Sequence, residues 1–104
     1  MAEEQFAYVT TIGRKSGQPR QIEIWFVQSS GMIYILAEHG LRAQWVQNIL
    51  SNPAVRVRIG NDESSATARV LDLEKDHELC LSVRELSRQK YDWGDGLPVE
   101  IRRE

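Results

Sequence analysis

Hydrophobic positions in the first third of the chain follow the two-residue period of β-strands. Residues 6–11 are apolar or β-branched, and residues 21–28 alternate in a way that places bulky side chains on both faces. The glycine- and proline-containing segment 13–19 separates these runs, which predicts two strands joined by a hairpin loop. Residues 32–37 are continuously apolar and predict a third, buried strand after a turn at residues 29–31.

A helical period replaces this pattern between residues 41 and 50. Apolar side chains recur there at four- and five-residue steps and predict one buried stripe, made of Leu41, Trp45, Val46, Ile49 and Leu50. The helix is expected to begin near residues 40–43 and to end at Asn52 and Pro53.

The remaining chain predicts two more strands, a helix and a closing strand. Residues 55–59 alternate between apolar residues and arginine, a turn at residues 60–62 follows, and residues 64–73 continue as a strand. A helix over about residues 75–90 is expected to bury Leu79, Val83 and Leu86. In the final segment Pro98 is expected to confine the last strand to a sheet edge.

The resulting order is three strands, a helix, two strands, a helix and a strand. Because strands and helices do not alternate as in a parallel sheet, an α+β fold is favoured, with an antiparallel sheet or small barrel flanked by helices. No repeat or linker divides the chain, so residues 1–104 are expected to form a single domain.

Composition narrows the classes of function. A net charge of −2 gives no general attraction to nucleic acid, and the longest apolar run, residues 32–37, is too short to cross a bilayer. One cysteine, Cys80, excludes an intrachain disulfide and fits a reducing cytoplasm. His39 and His77 show no metal-ligand spacing, so no metal is expected. At 104 residues the chain is small enough that oligomerisation would help its stability.

The first hairpin loop is the strongest candidate for chemistry. It brings together three cations and a hydroxyl within seven residues, beside Gly13 and Gly17: Arg14, Lys15, Ser16 and Arg20. Guanidinium and ammonium groups bind phosphate or carboxylate oxygens through charge-assisted hydrogen bonds, so the loop indicates an anion site. A solvated hairpin tip explains the same residues equally well from the sequence alone.

The junction between the third strand and the first helix is a second candidate. The predicted helix start places unpaired N–H groups near Gly40 and Leu41 and puts Arg42 in the first turn, which suits an anion. The alternative is that Arg42 projects into water or pairs with Glu38.

Two separated motifs resemble the deazaflavin-dependent nitroreductase family. They are Thr-Thr-Ile-Gly-Arg-Lys-Ser-Gly-Gln-Pro-Arg, which ends at Arg20, and the helix segment 41–53, and the likeness covers residues 8–60 well. The resemblance implies a split β-barrel of the FMN-binding type, a homodimer, and coenzyme F-420 as the hydride donor to nitro, quinone or enone acceptors. Other branches of this fold bind FMN, FAD, haem or fatty acid, so the fold alone does not fix the cofactor.

Carried onto this sequence, the resemblance implies a two-part coenzyme site. Arg14, Lys15, Ser16 and Arg20 would contact the phosphate and acidic tail, together with Gly40, Leu41 and Arg42. Ile22, Glu23, Ile24, Trp25 and Trp45 would border the flat ring. Glu23 departs from an apolar ring pocket, because a carboxylate there must face solvent or find a partner.

Several alternatives stay open at this stage. Trp25 and Trp45 suit a core as well as a ring pocket, and Tyr91 and Trp93 suit packing, a ring or a dimer contact. The chain begins almost directly at its first strand, whereas many active relatives extend over the substrate. A non-catalytic carrier of a deazaflavin, FMN, FAD or an acyl ligand is therefore the main alternative to an oxidoreductase. A nucleic-acid-binding barrel is disfavoured by the overall charge.

Overall fold

The computed structural model describes residues 5–104, and residues 1–4 lie outside this range. Within the described range, two α-helices, α1 (Gln44–Ser51) and α2 (His77–Tyr91), accompany six strands: β1 (Phe6–Ile12), β2 (Pro19–Ser29), β3 (Met32–Ala37), β4 (Ala54–Ile59), β5 (Asp62–Val70) and β6 (Leu97–Arg103). A 3-10 turn at Gly40–Arg42 precedes α1. The predicted order of strands and helices is confirmed.

The six strands form one closed antiparallel barrel in the order β1, β2, β3, β6, β5, β4. The predicted α+β antiparallel fold is therefore confirmed. The placement of Pro98 at a sheet edge is wrong, because β6 pairs with both β3 and β5. Pro98 is the second residue of β6, where a missing N–H is tolerated, and its carbonyl accepts a hydrogen bond of 3.1 Å from the N–H of Leu71.

Strand β2 changes partner along its length. Its first part pairs with β1 as far as Trp25, and its last part pairs with β3 from Phe26 onward. The first half of β2 therefore borders β1 on one edge and a gap on the other. This gap positions the candidate site.

Two hairpins use residues with positive φ. Ser30 and Gly31, at φ 53° and 79°, connect β2 to β3, and this pair of positive values twists the chain as two-residue hairpins require. Gly60, at φ 61°, opens the connection from β4 to β5.

Inward-facing side chains form the barrel core. This cluster consists of Ala7, Val9, Phe26, Ile33, Ile35, Ile49, Val55, Val57, Ala66, Ala68, Val99 and Ile101. Helix α1 contributes Ile49, and its Val46 is also fully buried. The prediction that Leu41 and Leu50 face inward is wrong, since they are 55% and 56% exposed. Leu41 belongs to the separate 3-10 turn, so the helical period does not govern its direction.

Helix α2 covers a second cluster on the outside of the barrel. Its Val83 and Cys80 are buried against Val27, Tyr34 and Leu36, while Leu79 and Leu86 pack at the margin as predicted. Burial raises the pKa of the Cys80 thiol, which keeps it protonated and unreactive. No helix within residues 5–104 combines the length and apolar character that crossing a membrane requires.

A chain of polar groups joins the barrel to the start of α2. The Tyr34 hydroxyl donates to Glu100 at 3.0 Å, and Arg69 binds both Glu100 and Asp76. Burial and the bond to Glu100 raise the pKa of Tyr34 to about 12. The backbone N–H of Asp72 and the Arg69 guanidinium hold the pKa of Asp76 below its ordinary 3.8.

Acid is expected to destabilise the fold partly through Asp76. A lowered folded-state pKa contributes stability above the ordinary value of 3.8, and this contribution is lost as pH falls through the folded-state value. Asp76→Asn should therefore lower the urea midpoint at neutral pH and converge with the wild type well below pH 3.8. The exposed Glu74→Gln is the control. An unchanged difference across the whole pH range would show that Asp76 does not carry this acid sensitivity.

Candidate functional site

Two cavities meet at Trp45, which lies in the wall of both. The smaller one, here named the basic groove, has a volume of about 390 Å³. Its walls are Gly13, Arg14, Lys15, Ser16, Arg20, Ile22, Gln44, Trp45 and Asn48. The groove thus unites the cations of the first hairpin loop with one face of α1, and no carboxylate of residues 5–104 lines it.

The loop that supplies the cations is held by its own backbone. The Gly13 N–H donates to the Gln18 carbonyl, the Gly17 N–H donates to the Gly13 carbonyl, and both distances are 2.8 Å. Gly17 has a φ of 71°, which favours glycine. The Ser16 hydroxyl accepts a bond of 3.2 Å from the Gln18 N–H and keeps its own proton available for a ligand.

Arg14 is anchored on α1 rather than free at the loop tip. Its guanidinium donates to Asn48 Oδ1 at 2.9 Å and to Gln44 Oε1 at 2.8 Å. Its backbone N–H also donates to Asn48 Oδ1 at 3.2 Å. Sequence reasoning missed both amides. Their four-residue spacing on one helix face is the signal that could have found them.

The cations of the groove have no anionic partner within residues 5–104. Ion pairs in this part of the chain involve other arginines, and Arg14, Lys15 and Arg20 take part in none of them. Their side chains are exposed. Their charges are therefore available to an anionic ligand.

The larger cavity, here named the aromatic cavity, has a volume of about 670 Å³. Seven of the chain's eight aromatic residues line it, namely Phe6, Trp25, Phe26, Tyr34, Trp45, Tyr91 and Trp93. Size and lining match a site for a small organic molecule. Of the residues predicted to border a ring, Glu23, Ile24, Trp25 and Trp45 line this cavity, whereas Ile22 lines the basic groove.

Aromatic packing fixes the α2 side of this cavity. Trp25 stacks on Tyr91 with 4.5 Å between ring centroids and 3° between planes, and Trp93 meets Trp25 edge-on at 6.4 Å. The Tyr91 oxygen lies 2.7 Å from the Gln5 carbonyl and 2.8 Å from that of Phe26, and it accepts from the Phe26 N–H at 3.1 Å. Tyr91 therefore continues the β1–β2 ladder where the strand pairing stops.

Removal of this hydroxyl is expected to loosen the cavity wall. Tyr91→Phe leaves the Phe26 N–H without its partner, which should lower the free energy of unfolding by about 1–2 kcal/mol. Urea denaturation measures this loss. Tyr8→Phe, which removes an exposed hydroxyl bond to Glu23, is the matched control and should change stability less. Equal losses in both variants would contradict the role given to Tyr91.

Glu23 has a partner, which accounts for a carboxylate in the cavity wall. Its Oε2 accepts a hydrogen bond of 2.7 Å from the Tyr8 hydroxyl, and the two residues face each other across β1 and β2. The Glu23 side chain is exposed, and Arg58 lies over the Tyr8 ring at 4.2 Å. The carboxylate thus stays hydrated at the rim and avoids a large desolvation penalty.

The second predicted anion seat differs from its expected geometry. Helix α1 begins at Gln44, so the placement of Arg42 in its first turn is wrong. Ala43 is extended and separates the turn Gly40–Arg42 from the helix. Gly40, Leu41 and Arg42 lie in neither cavity wall, whereas the neighbouring Ala43 does line the aromatic cavity.

A family model supplies the assignment. The model of the F420H(2)-dependent quinone reductases matches residues 2–103. The chain belongs to the F420H(2)-dependent quinone reductase family. This confirms the resemblance drawn from the two sequence motifs, and the family's description names the predicted coenzyme F-420 in its reduced form.

Solved structures resemble this F420H(2)-dependent quinone reductase family member over nearly its whole length. An F420-H2 dependent reductase, FDR-A, is 25% identical, with a TM-score of 0.72 and coverage of 97% of this chain and 96% of its own. A domain-swapped dimer is 27% identical, with a TM-score of 0.65 and coverage of 96% and 81%. An FAD-binding protein from Mesorhizobium loti, 15% identical with a TM-score of 0.74 and the same coverage, shares the fold.

The residues present in this F420H(2)-dependent quinone reductase family member fit a ligand with a flat ring and an anionic tail. Aromatic walls suit the ring, and the unpaired cations of the basic groove suit the tail. Trp45 is common to both cavities, so one ligand can contact both. Within residues 5–104, no three histidine, cysteine or carboxylate side chains are grouped as metal ligands.

Proposed function

We propose that this chain transfers a hydride from reduced coenzyme F-420 to a small organic acceptor of the nitro, quinone or enone type. The observation that carries the proposal is that the two cavities share Trp45 in their walls. One cavity is lined by cations without an ion pair within residues 5–104, and the other is lined by aromatic side chains. Membership of the F420H(2)-dependent quinone reductase family supports the same reaction class.

In this proposal the protein binds and orients the coenzyme, and it excludes water from the ring. Lys15, Arg20 and the Ser16 hydroxyl hold the anionic tail in the basic groove. Ile24, Trp25 and Trp45 flank the ring in the aromatic cavity. The bound coenzyme supplies the two-electron chemistry, so the reaction needs no group of metal ligands, and none is found among residues 5–104.

The test combines turnover with binding. Purified protein is mixed with reduced coenzyme F-420 and a panel of quinone, nitro and enone acceptors, and coenzyme oxidation is followed by absorbance. Fluorescence titrations with coenzyme F-420, FMN and FAD measure the cofactor preference. Arg20→Ala should weaken coenzyme binding about tenfold, as expected for loss of a charge-assisted hydrogen bond. Arg56→Ala, which lies outside both cavities, is the matched control.

Two outcomes would overturn the proposal in different ways. Tight coenzyme binding without oxidation by any acceptor would make the protein a carrier. If Arg20→Ala and Arg56→Ala change the affinity for the coenzyme equally, the anionic tail does not bind in the basic groove.

We also propose that the protein acts as a homodimer. The chain is small, and a solved relative at 27% identity is a domain-swapped dimer. Leu41, Leu50, Leu73 and Leu81 are large apolar side chains that this single chain leaves about half exposed. Sedimentation equilibrium should give twice the chain mass, and a monomer at micromolar concentration would refute the proposal.

A further inference from the structure

The partners of Arg14 are neutral. Its guanidinium donates to the side-chain oxygens of Asn48 and Gln44, which are amides, and no carboxylate in residues 5–104 pairs with it. Amide oxygens satisfy N–H donors without cancelling the charge of an arginine. Arg14 is therefore fixed in position and still positively charged, in contrast to Arg69, which two carboxylates neutralise.

Asn48 has only one amide orientation that fits its surroundings. The side chain is 5% exposed, and its Nδ2 donates to the hydroxyl of Thr11 at 3.2 Å, where Thr11 is fully buried on β1. Its Oδ1 accepts from both the backbone N–H and the guanidinium of Arg14. A flipped amide would turn its N–H groups toward the donors of Arg14 and leave them unsatisfied.

We propose that Asn48 is a positioning residue of the basic groove: its amide holds the Arg14 guanidinium in place for an anion and leaves the positive charge of Arg14 intact. Asn48 joins β1, the first hairpin loop and α1 through one buried amide, so the loop and the helix face meet in a fixed arrangement. Gln44 supports the same guanidinium from the preceding turn of α1. A cation ordered before the ligand arrives lowers the entropy lost on binding.

This inference rests on the proposed function only in taking the groove as the seat of the coenzyme's anionic tail. It differs from a purely structural role of Asn48 in one measurable respect. A structural amide affects folding, and its effect on affinity would be independent of Arg14. A positioning amide affects affinity through Arg14 alone.

A double-mutant cycle separates these roles. Dissociation constants for coenzyme F-420 are measured by fluorescence for the wild type, Arg14→Ala, Asn48→Ala and the double variant, without an acceptor. Each single substitution should weaken binding about tenfold, and the double variant should bind as Arg14→Ala does. Gln47→Ala replaces a neighbouring amide of α1 outside both cavities and should leave affinity within about twofold. Multiplicative losses in the double variant would overturn the positioning role.

A second pair of variants covers the case in which Asn48→Ala fails to fold. Gln44 is exposed, so Gln44→Ala should fold, and its loss of affinity, about threefold, should also vanish in the Arg14→Ala background. Asn48→Asp keeps an acceptor for Arg14 but cancels its charge, and it should weaken binding at least tenfold while the protein remains folded. Unchanged affinity in Asn48→Asp would show that the neutrality of the amide is irrelevant.

The outcomes distinguish this inference from the proposed function. If the wild type binds the coenzyme and the cycle is additive, only the positioning role of Asn48 is wrong. If the wild type does not bind the coenzyme, the proposed function fails, and the same cycle is run by NMR titration with inorganic phosphate. Additive losses of phosphate affinity would then overturn the positioning role as well.

Discussion

Replacing Gly94 with alanine is expected to lower the free energy of unfolding by about 3 kcal/mol. An added Cβ would lie 2.3 Å from the backbone oxygen of Arg84 and 2.9 Å from Cγ of Arg88. Because the carbonyl belongs to α2, the overlap can be relieved only by moving the helix or the segment before β6. Urea denaturation followed by far-UV circular dichroism measures the loss.

The neighbouring position provides the control for Gly94→Ala. Asp95 is 78% exposed at its side chain, and its ion pair with Arg88 at 3.4 Å lies at the surface. Asp95→Ala should therefore change stability by less than about 1 kcal/mol. A loss of the same small size in Gly94→Ala would show that α2 and the segment before β6 do not pack as tightly as the structure has them.

Trp45→Ala is expected to produce the largest loss of coenzyme affinity, about thirtyfold or more, corresponding to roughly 2 kcal/mol. Trp45 is the side chain that both cavities share, so its removal takes away a wall of the ring site and opens the basic groove at once. Fluorescence titration with coenzyme F-420 under conditions where the variant is folded measures the change.

Two further variants separate contact from folding for Trp45. Trp45→Phe retains an aromatic wall and should recover most of the affinity. Ser51→Ala truncates an exposed side chain on the same helix, outside both cavities, and should bind as the wild type does. If Trp45→Ala binds within about twofold of the wild type, the two cavities do not form one coenzyme site.

Local periodicity was sufficient to predict the order of the elements, but not how they meet. The alternation in β2 and the four-residue steps in α1 are properties of neighbouring residues, and they are visible in the chain itself. Pro98 was assigned to an edge because proline lacks an N–H. Its position at the start of β6 makes that donor unnecessary, although the strand is paired on both sides.

The residues of the candidate site could likewise be predicted only where the signal is local in the sequence. Lys15, Ser16 and Arg20 were predicted from one contiguous loop, and they line one groove. The hydrogen bonds of Tyr91 and Asn48 were not predicted, because their partners lie 65 and 34 residues away along the chain. The four-residue spacing of Gln44 and Asn48 places the two amides on one helix face, but it does not reveal which distant residue they bind. The resemblance to a family supplied the ring-facing half of β2, which periodicity alone could not distinguish from ordinary core.

The change of partner along β2 also has a consequence for how a ligand binds. Within the described chain, the pairing of β2 with β3 stops at Phe26 and Ile35, so no hydrogen bond between these strands crosses the gap beside the first half of β2. A molecule that occupies this gap therefore displaces no hydrogen bond between β2 and β3. Phe26, where the pairing changes, is held by the Tyr91 hydroxyl and by Lys90, whose Nζ donates to the Phe26 carbonyl. A flat ligand bound beside the first half of β2 would therefore leave the hydrogen bonds between β2 and β3 intact.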